Sequence, residues 1–127
     1  MDFDGATLVV IALAKEFIAA MQRINPVWEK AYWRFVCKDD HYGSNASYST
    51  PTEITLISAI KEKQLFENLN NLGRQLWNSE NDPDRRFCVC LLAVSSTFDY
   101  EIKFEQNDEN RWRITKLDGK SGLPDAL

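Results

Sequence analysis

The stretch that most restricts the fold runs from Arg86 to Glu105, Arg-Phe-Cys-Val-Cys-Leu-Leu-Ala-Val-Ser-Ser-Thr-Phe-Asp-Tyr-Glu-Ile-Lys-Phe-Glu. From Phe98 to Glu105 the alternation is strict: Phe98, Tyr100, Ile102 and Phe104 share one parity, and Asp99, Glu101, Lys103 and Glu105 the other. Successive side chains of an extended chain point to opposite faces. The pattern therefore predicts a strand with an aromatic core face and a mostly acidic, water-facing one. Nothing is charged from Phe87 to Val94, which suits an inner strand buried on both faces. Ser95-Ser96-Thr97 is the polar turn between them. On this reading Cys88 and Cys90 lie on the same face, a poor geometry for bridging each other.

The remaining chain supplies the layers that such a hairpin needs. Val10, Leu13, Ala14, Phe17, Met21 and Ile24 follow helical spacing, predicting a core helix from about Ala6 to Ile24. Asp2 and Asp4 stand at its positive end, and Asn25-Pro26 stops it. Aromatic and β-branched residues from Ala31 to Cys37 predict a strand. Lys38 to Asn45 reads as a loop, and Ala46 to Ile57 as a returning strand with Pro51 at an edge or bulge. Leu65, Phe66, Leu69, Leu72, Gly73, Leu76 and Trp77 form the stripe of a second helix between Ser58 and Asn78, with Gly73 allowing close approach to the sheet. Arg111 to Lys116 is a short strand or an irregular packed segment. The fold class is α+β: a single domain over residues 1–127, order α-β-β-α-β-β, with an antiparallel sheet of about four strands and two helices on one face. The tail after about residue 117 is expected to be flexible.

At 127 residues the chain forms one core. The Ala6–Ala14 apolar run is preceded by acids, interrupted by Lys15-Glu16 and too short to span a bilayer, so a cytoplasmic location is expected, with no membrane partner. Three cysteines, an odd number, read as buried thiols in a reducing compartment. The net charge of −4 disfavours direct nucleic-acid binding, because exposed aromatics here are interleaved with acids that repel phosphates.

Catalytic chemistry finds little support. His41 is the only histidine, and with Cys37, Asp39 and Asp40 it crowds one turn without a recognised ligand spacing. A cysteine inside an aromatic strand is more often inert than activated, which argues against a Cys37–His41 nucleophile pair. Phosphate-loop, dinucleotide, nucleophile-elbow and zinc-protease motifs do not occur. No enzyme activity, cofactor or metal is expected. A binding protein remains, its acidic surface matched to a basic partner.

The pattern resembles the YezG-like bacterial immunity proteins, which include immunity proteins of contact-dependent growth inhibition systems. The residues that carry the likeness are Trp28-Glu-Lys-Ala-Tyr32-Trp-Arg34-Phe, Tyr42-Gly-Ser-Asn followed by Tyr48, the leucine-rich helix, Phe98-Asp-Tyr-Glu-Ile-Lys-Phe104-Glu, and Asn110-Arg-Trp112-Arg-Ile-Thr115. These motifs are diffuse and span the first helix to Thr115. The resemblance implies an antitoxin that binds a cognate toxin, frequently a nuclease, and occludes its active site or groove. The toxin-facing carboxylates are then expected to be Asp99, Glu101 and Glu105, followed by Asp82, Asp84, Asp108 and Glu109. Trp28, Tyr32, Arg34 and Trp112 read as framework. The alternative is an acidic secretion chaperone that binds an effector segment. Oligomeric state is left open.

Overall fold

The computed structural model describes residues 3–127, with side chains from Gly5 onward. Asp2 lies outside the described residues, and of Asp4 only the backbone is described. The elements are α1 (Phe3–Ile24), β1 (Lys30–Cys37), β2 (Tyr42–Ser49), β3 (Ile54–Leu56), α2 (Lys63–Asn78), β4 (Val89–Ser95) and β5 (Tyr100–Glu105). One antiparallel sheet has the order β3-β2-β1-β4-β5. The α+β class, the single domain and the placement of both helices on one face are as the sequence predicts.

The additional strand is β3. Thr50 replaces the expected continuation with a turn: its Oγ1 accepts the Glu53 N–H at 3.2 Å, and its own N–H donates to the Glu53 carbonyl at 2.9 Å. Pro51 has no N–H for a ladder and falls between the strands. Residues 42–45, expected in a loop, belong to β2 and pair with Cys37, Val36, Phe35 and Arg34. Pairing to the central strand overrides their composition.

Both helices cover the sheet face that carries Trp33, Phe35, Ala46, Cys90 and Leu92. Leu13, Phe17 and Met21, four residues apart on α1, are fully buried there. The whole segment Gly5–Ile24 is long and apolar enough to cross a membrane, longer than its first apolar run suggests; in this fold that length covers the sheet. On α2 the buried residues are Leu65, Phe66, Leu69, Gly73, Leu76 and Trp77. Gly73 makes the expected close approach: a Cβ there would lie 2.8 Å from Phe35 Cε2 and 2.9 Å from Trp33 Cη2.

The opposite face carries Tyr32, Val89 and Leu91 and is closed by the chain that follows β5. Trp112 and Ile114 are buried on it, and Leu123 is half-buried. This segment is irregular and held by side chains. Arg34 Nε donates to the Arg111 carbonyl at 2.8 Å, and Asn45 Nδ2 to the Ile114 carbonyl at 2.8 Å. The tail after about residue 117 folds back, with Gly122 and Pro124 buried and the Asp125 N–H donating to the Arg113 carbonyl at 2.9 Å.

One parity expectation fails. Cys90 is in the helix-side core, whereas Cys88 packs on the other face. Val89 is registered opposite Glu105, yet the Cys88 N–H also donates to the Glu105 carbonyl at 2.7 Å. Two residues opposite one form a bulge, and the bulge shifts the parity.

Candidate protein-binding site at the outer hairpin

The site is built by the connection between β4 and β5. The Phe98 N–H donates to the Ser95 carbonyl at 2.9 Å, and the Ser95 N–H to the Asp99 carbonyl at 2.9 Å. Ser95 Oγ accepts the Asp99 N–H at 3.2 Å, and Thr97 Oγ1 donates to Asp99 Oδ2 at 2.9 Å. A turn closed this way needs one left-handed residue, ordinarily glycine. Here it is Phe98, with φ of 69°.

The aromatic parity of this strand is not core, contrary to expectation. Phe98 is 60% exposed, Tyr100 46% and Phe104 42%; Ile102 is packed against the main cluster, and Phe104 touches it through the Phe87 ring, with centroids 5.2 Å apart. The cause is position. β5 is the last strand and α1 lies over β4, so the helix-side face of β5 overhangs. Between α1 and the hairpin lies an apolar groove lined by Ile11, Ala14, Ile18, Ala19, Phe98 and Tyr100.

The candidate carboxylates fall into two groups. Asp99 and Glu101 are exposed beside Phe98 and Tyr100. Glu101 faces Lys103 Nζ at 3.8 Å, and with Lys30 and Tyr32 they border a shallow depression of ≈ 320 Å³. Glu105 is six residues from Asp99, roughly 20 Å along the strand. Its side chain, only 14% exposed, accepts from Arg111 Nη1 at 2.6 Å and from the N–H groups of Asn107 and Asp108. Asp108 accepts the Asn110 N–H at 2.9 Å, and Glu109 pairs with Lys38. Asp82 caps a one-turn 3-10 helix (Pro83–Arg85) by accepting the Asp84 N–H at 3.0 Å and faces Arg85 at 3.7 Å, while Asp84 is exposed. The 82–85 turn adjoins the 105–109 loop, since Gln106 Nε2 donates to the Arg85 carbonyl at 2.8 Å. Only Asp99 and Glu101 combine free exposure with neighbouring exposed aromatics.

Glu105 anchors the 105–111 loop, and its pKa records this. Arg111, then the two backbone N–H groups, pull it down to about 2. A depressed carboxylate stabilises the fold above its unfolded pKa of about 4.3, and that contribution disappears as pH falls through the folded value. Melting temperature measured between these two values should therefore fall less steeply for Glu105→Gln than for the parent. Parallel curves would mean that Glu105 does not hold the loop.

The other candidates are arranged without a catalytic pairing. Cys37 is buried, its thiol directed to the Lys38 carbonyl and its pKa raised by burial. His41 is exposed and its Nδ1 meets Asp40 Oδ1 at 2.8 Å. Among the described residues no three histidine, cysteine or acidic side chains gather as metal ligands. No family model and no curated protein matches the chain.

Parity alone places Phe98 in the core, whereas the structure leaves it exposed. The available signal was the absence of glycine between Ser95 and Asp99, where the turn requires a left-handed residue. A test of its role follows. Phe98→Gly should leave stability within about 1 kcal/mol of the parent. The left-handed strain it removes, about 1–2 kcal/mol, is offset by greater backbone freedom and lost contact area. A framework phenylalanine would instead cost about 3–5 kcal/mol on truncation, so a loss of that size in urea unfolding would return Phe98 to the core.

Proposed function

We propose that this protein is a bacterial immunity protein that acts without catalysis, binding a cognate toxin with a basic substrate groove, such as a nuclease domain, and covering that groove. Phe98 carries the proposal. A large apolar side chain is held exposed in a left-handed conformation on the same side of the hairpin as Tyr100, while Asp99 and Glu101 are exposed on its other face. Neither the exposure nor the strain helps the chain fold, and such outliers persist where function uses them. A hairpin end with an aromatic anchor on one face and carboxylates on the other suits a protein interface: the ring fills a pocket while the acids meet arginines and lysines of the partner. The sequence resemblance to YezG-like immunity proteins points the same way. The site of action is the cytoplasm.

A secretion chaperone is the second reading, favoured by the mostly apolar groove between α1 and the hairpin, which could take an effector segment. One assay separates the two. Titrated into a nuclease assay of a candidate toxin domain from a neighbouring gene, an immunity protein should abolish activity at one equivalent. Full activity at saturating protein would refute the immunity reading, and capture of an unfolded effector segment would favour the chaperone.

A further inference from the structure

We infer that two copies of this chain pair through the outer edge of β5, joining their sheets into one continuous antiparallel sheet around a two-fold axis at Ile102. The backbone permits it. The Ser95 N–H to Asp99 carbonyl bond makes that pair hydrogen-bonded, and Ala93–Glu101 and Leu91–Lys103 follow it at alternate steps. Tyr100, Ile102 and Phe104 therefore direct their N–H and carbonyl groups away from β4. The sheet ends at β5, and the strand contains no proline to blunt that edge.

The side chains select both the occupant and the register. With the axis at Ile102, this residue pairs with Ile102 of the partner subunit, and Tyr100 faces Phe104 of the partner subunit. Each of these is a hydrogen-bonded pair, and the half-exposed aromatics gain a cross-strand neighbour. On the other face Glu101 stands opposite Lys103 of the partner subunit, in the closer, non-hydrogen-bonded spacing. Asp99 approaches Glu105 of the partner subunit, a like-charge contact softened because Arg111 already pairs with Glu105. Moving the axis to Lys103 would oppose lysine to lysine and Glu101 to Glu105. Charge complementarity therefore favours a second copy in a single alignment.

A strand-pair interface is small, so dimerisation should be concentration-dependent, with a Kd on the order of micromolar. The contact reuses Tyr100 and Glu101, so dimer and toxin complex compete for β5. The dimer itself does not depend on the immunity reading, because it is measured on the free protein.

Sedimentation velocity over a concentration series provides the test. Glu101→Lys and Lys103→Glu should each weaken the dimer by about tenfold or more, because each turns two attractive cross-strand pairs repulsive. The double variant E101K/K103E should recover it, because the swapped pair is again complementary in this register. Ile102→Pro should abolish it while β4 pairing survives, since the lost N–H points outward, and Ile102→Ala, which keeps that N–H but loses the same core contact, controls for packing. A parent protein monomeric up to roughly 1 mM would overturn the proposal. So would a dimer indifferent to Ile102→Pro, or a double variant no better than the singles.

Discussion

Gly73→Ala is expected to destabilise the fold by roughly 2 kcal/mol, the usual cost of inserting a methyl into a filled core. Helix propensity acts the other way, favouring alanine over glycine by about 1 kcal/mol. Packing decides the sign. The added Cβ would sit 2.8–2.9 Å from the Phe35 and Trp33 rings. Those rings are fully buried and stacked on each other with centroids 5.1 Å apart. Neither can retreat without moving β1, which pairs with strands on both sides. Urea unfolding checks this. A Gly73→Ala protein as stable as the parent would show that α2 sits farther from the sheet.

The second large effect is on binding. Reversing Asp99 and Glu101 to lysine should weaken the proposed toxin complex by at least roughly 2 kcal/mol, as for close charge pairs across an interface. Stability should change little, because both side chains are exposed: Glu101 makes a solvent-facing pair with Lys103, and Asp99 gives up one exposed turn bond from Thr97. The Glu101 reversal also weakens the inferred dimer, but that frees β5 and works against a loss of affinity. A measured loss therefore belongs to the partner contact. The corresponding reversals at Asp108 and Glu109 should matter less, because the fold already engages those side chains.

Much of the fold was legible in the sequence, and the misreadings share one cause. Periodicity finds faces, so the stripes on α1 and α2, the inner β4 and the role of Gly73 follow from spacing. Periodicity does not say what covers a face. Phe98, Tyr100 and Phe104 have core parity, yet their strand lies beyond α1 and stays half-exposed. Conversely, Trp112 and Ile114 sit in a segment without regular spacing and still close the second face of the sheet. The Cys88–Val89 bulge could not be seen, because it depends on a hydrogen bond to Glu105, far along the chain. For the site, sequence supplied the carboxylates and structure divided them. Glu105 is held by Arg111, whereas Asp99 and Glu101 remain available.

On the proposed reading, the Phe98 hairpin docks a basic toxin surface. Calorimetric titration against a candidate toxin domain encoded by a neighbouring gene, at low and high salt, tests it most directly. The expected result is tight one-to-one binding that weakens as salt rises, because carboxylate–arginine attraction is screened. It should also be weakened by at least roughly 2 kcal/mol in the Asp99→Lys, Glu101→Lys double variant. Affinity unchanged by that double variant and by salt would place the interface elsewhere and contradict the claim.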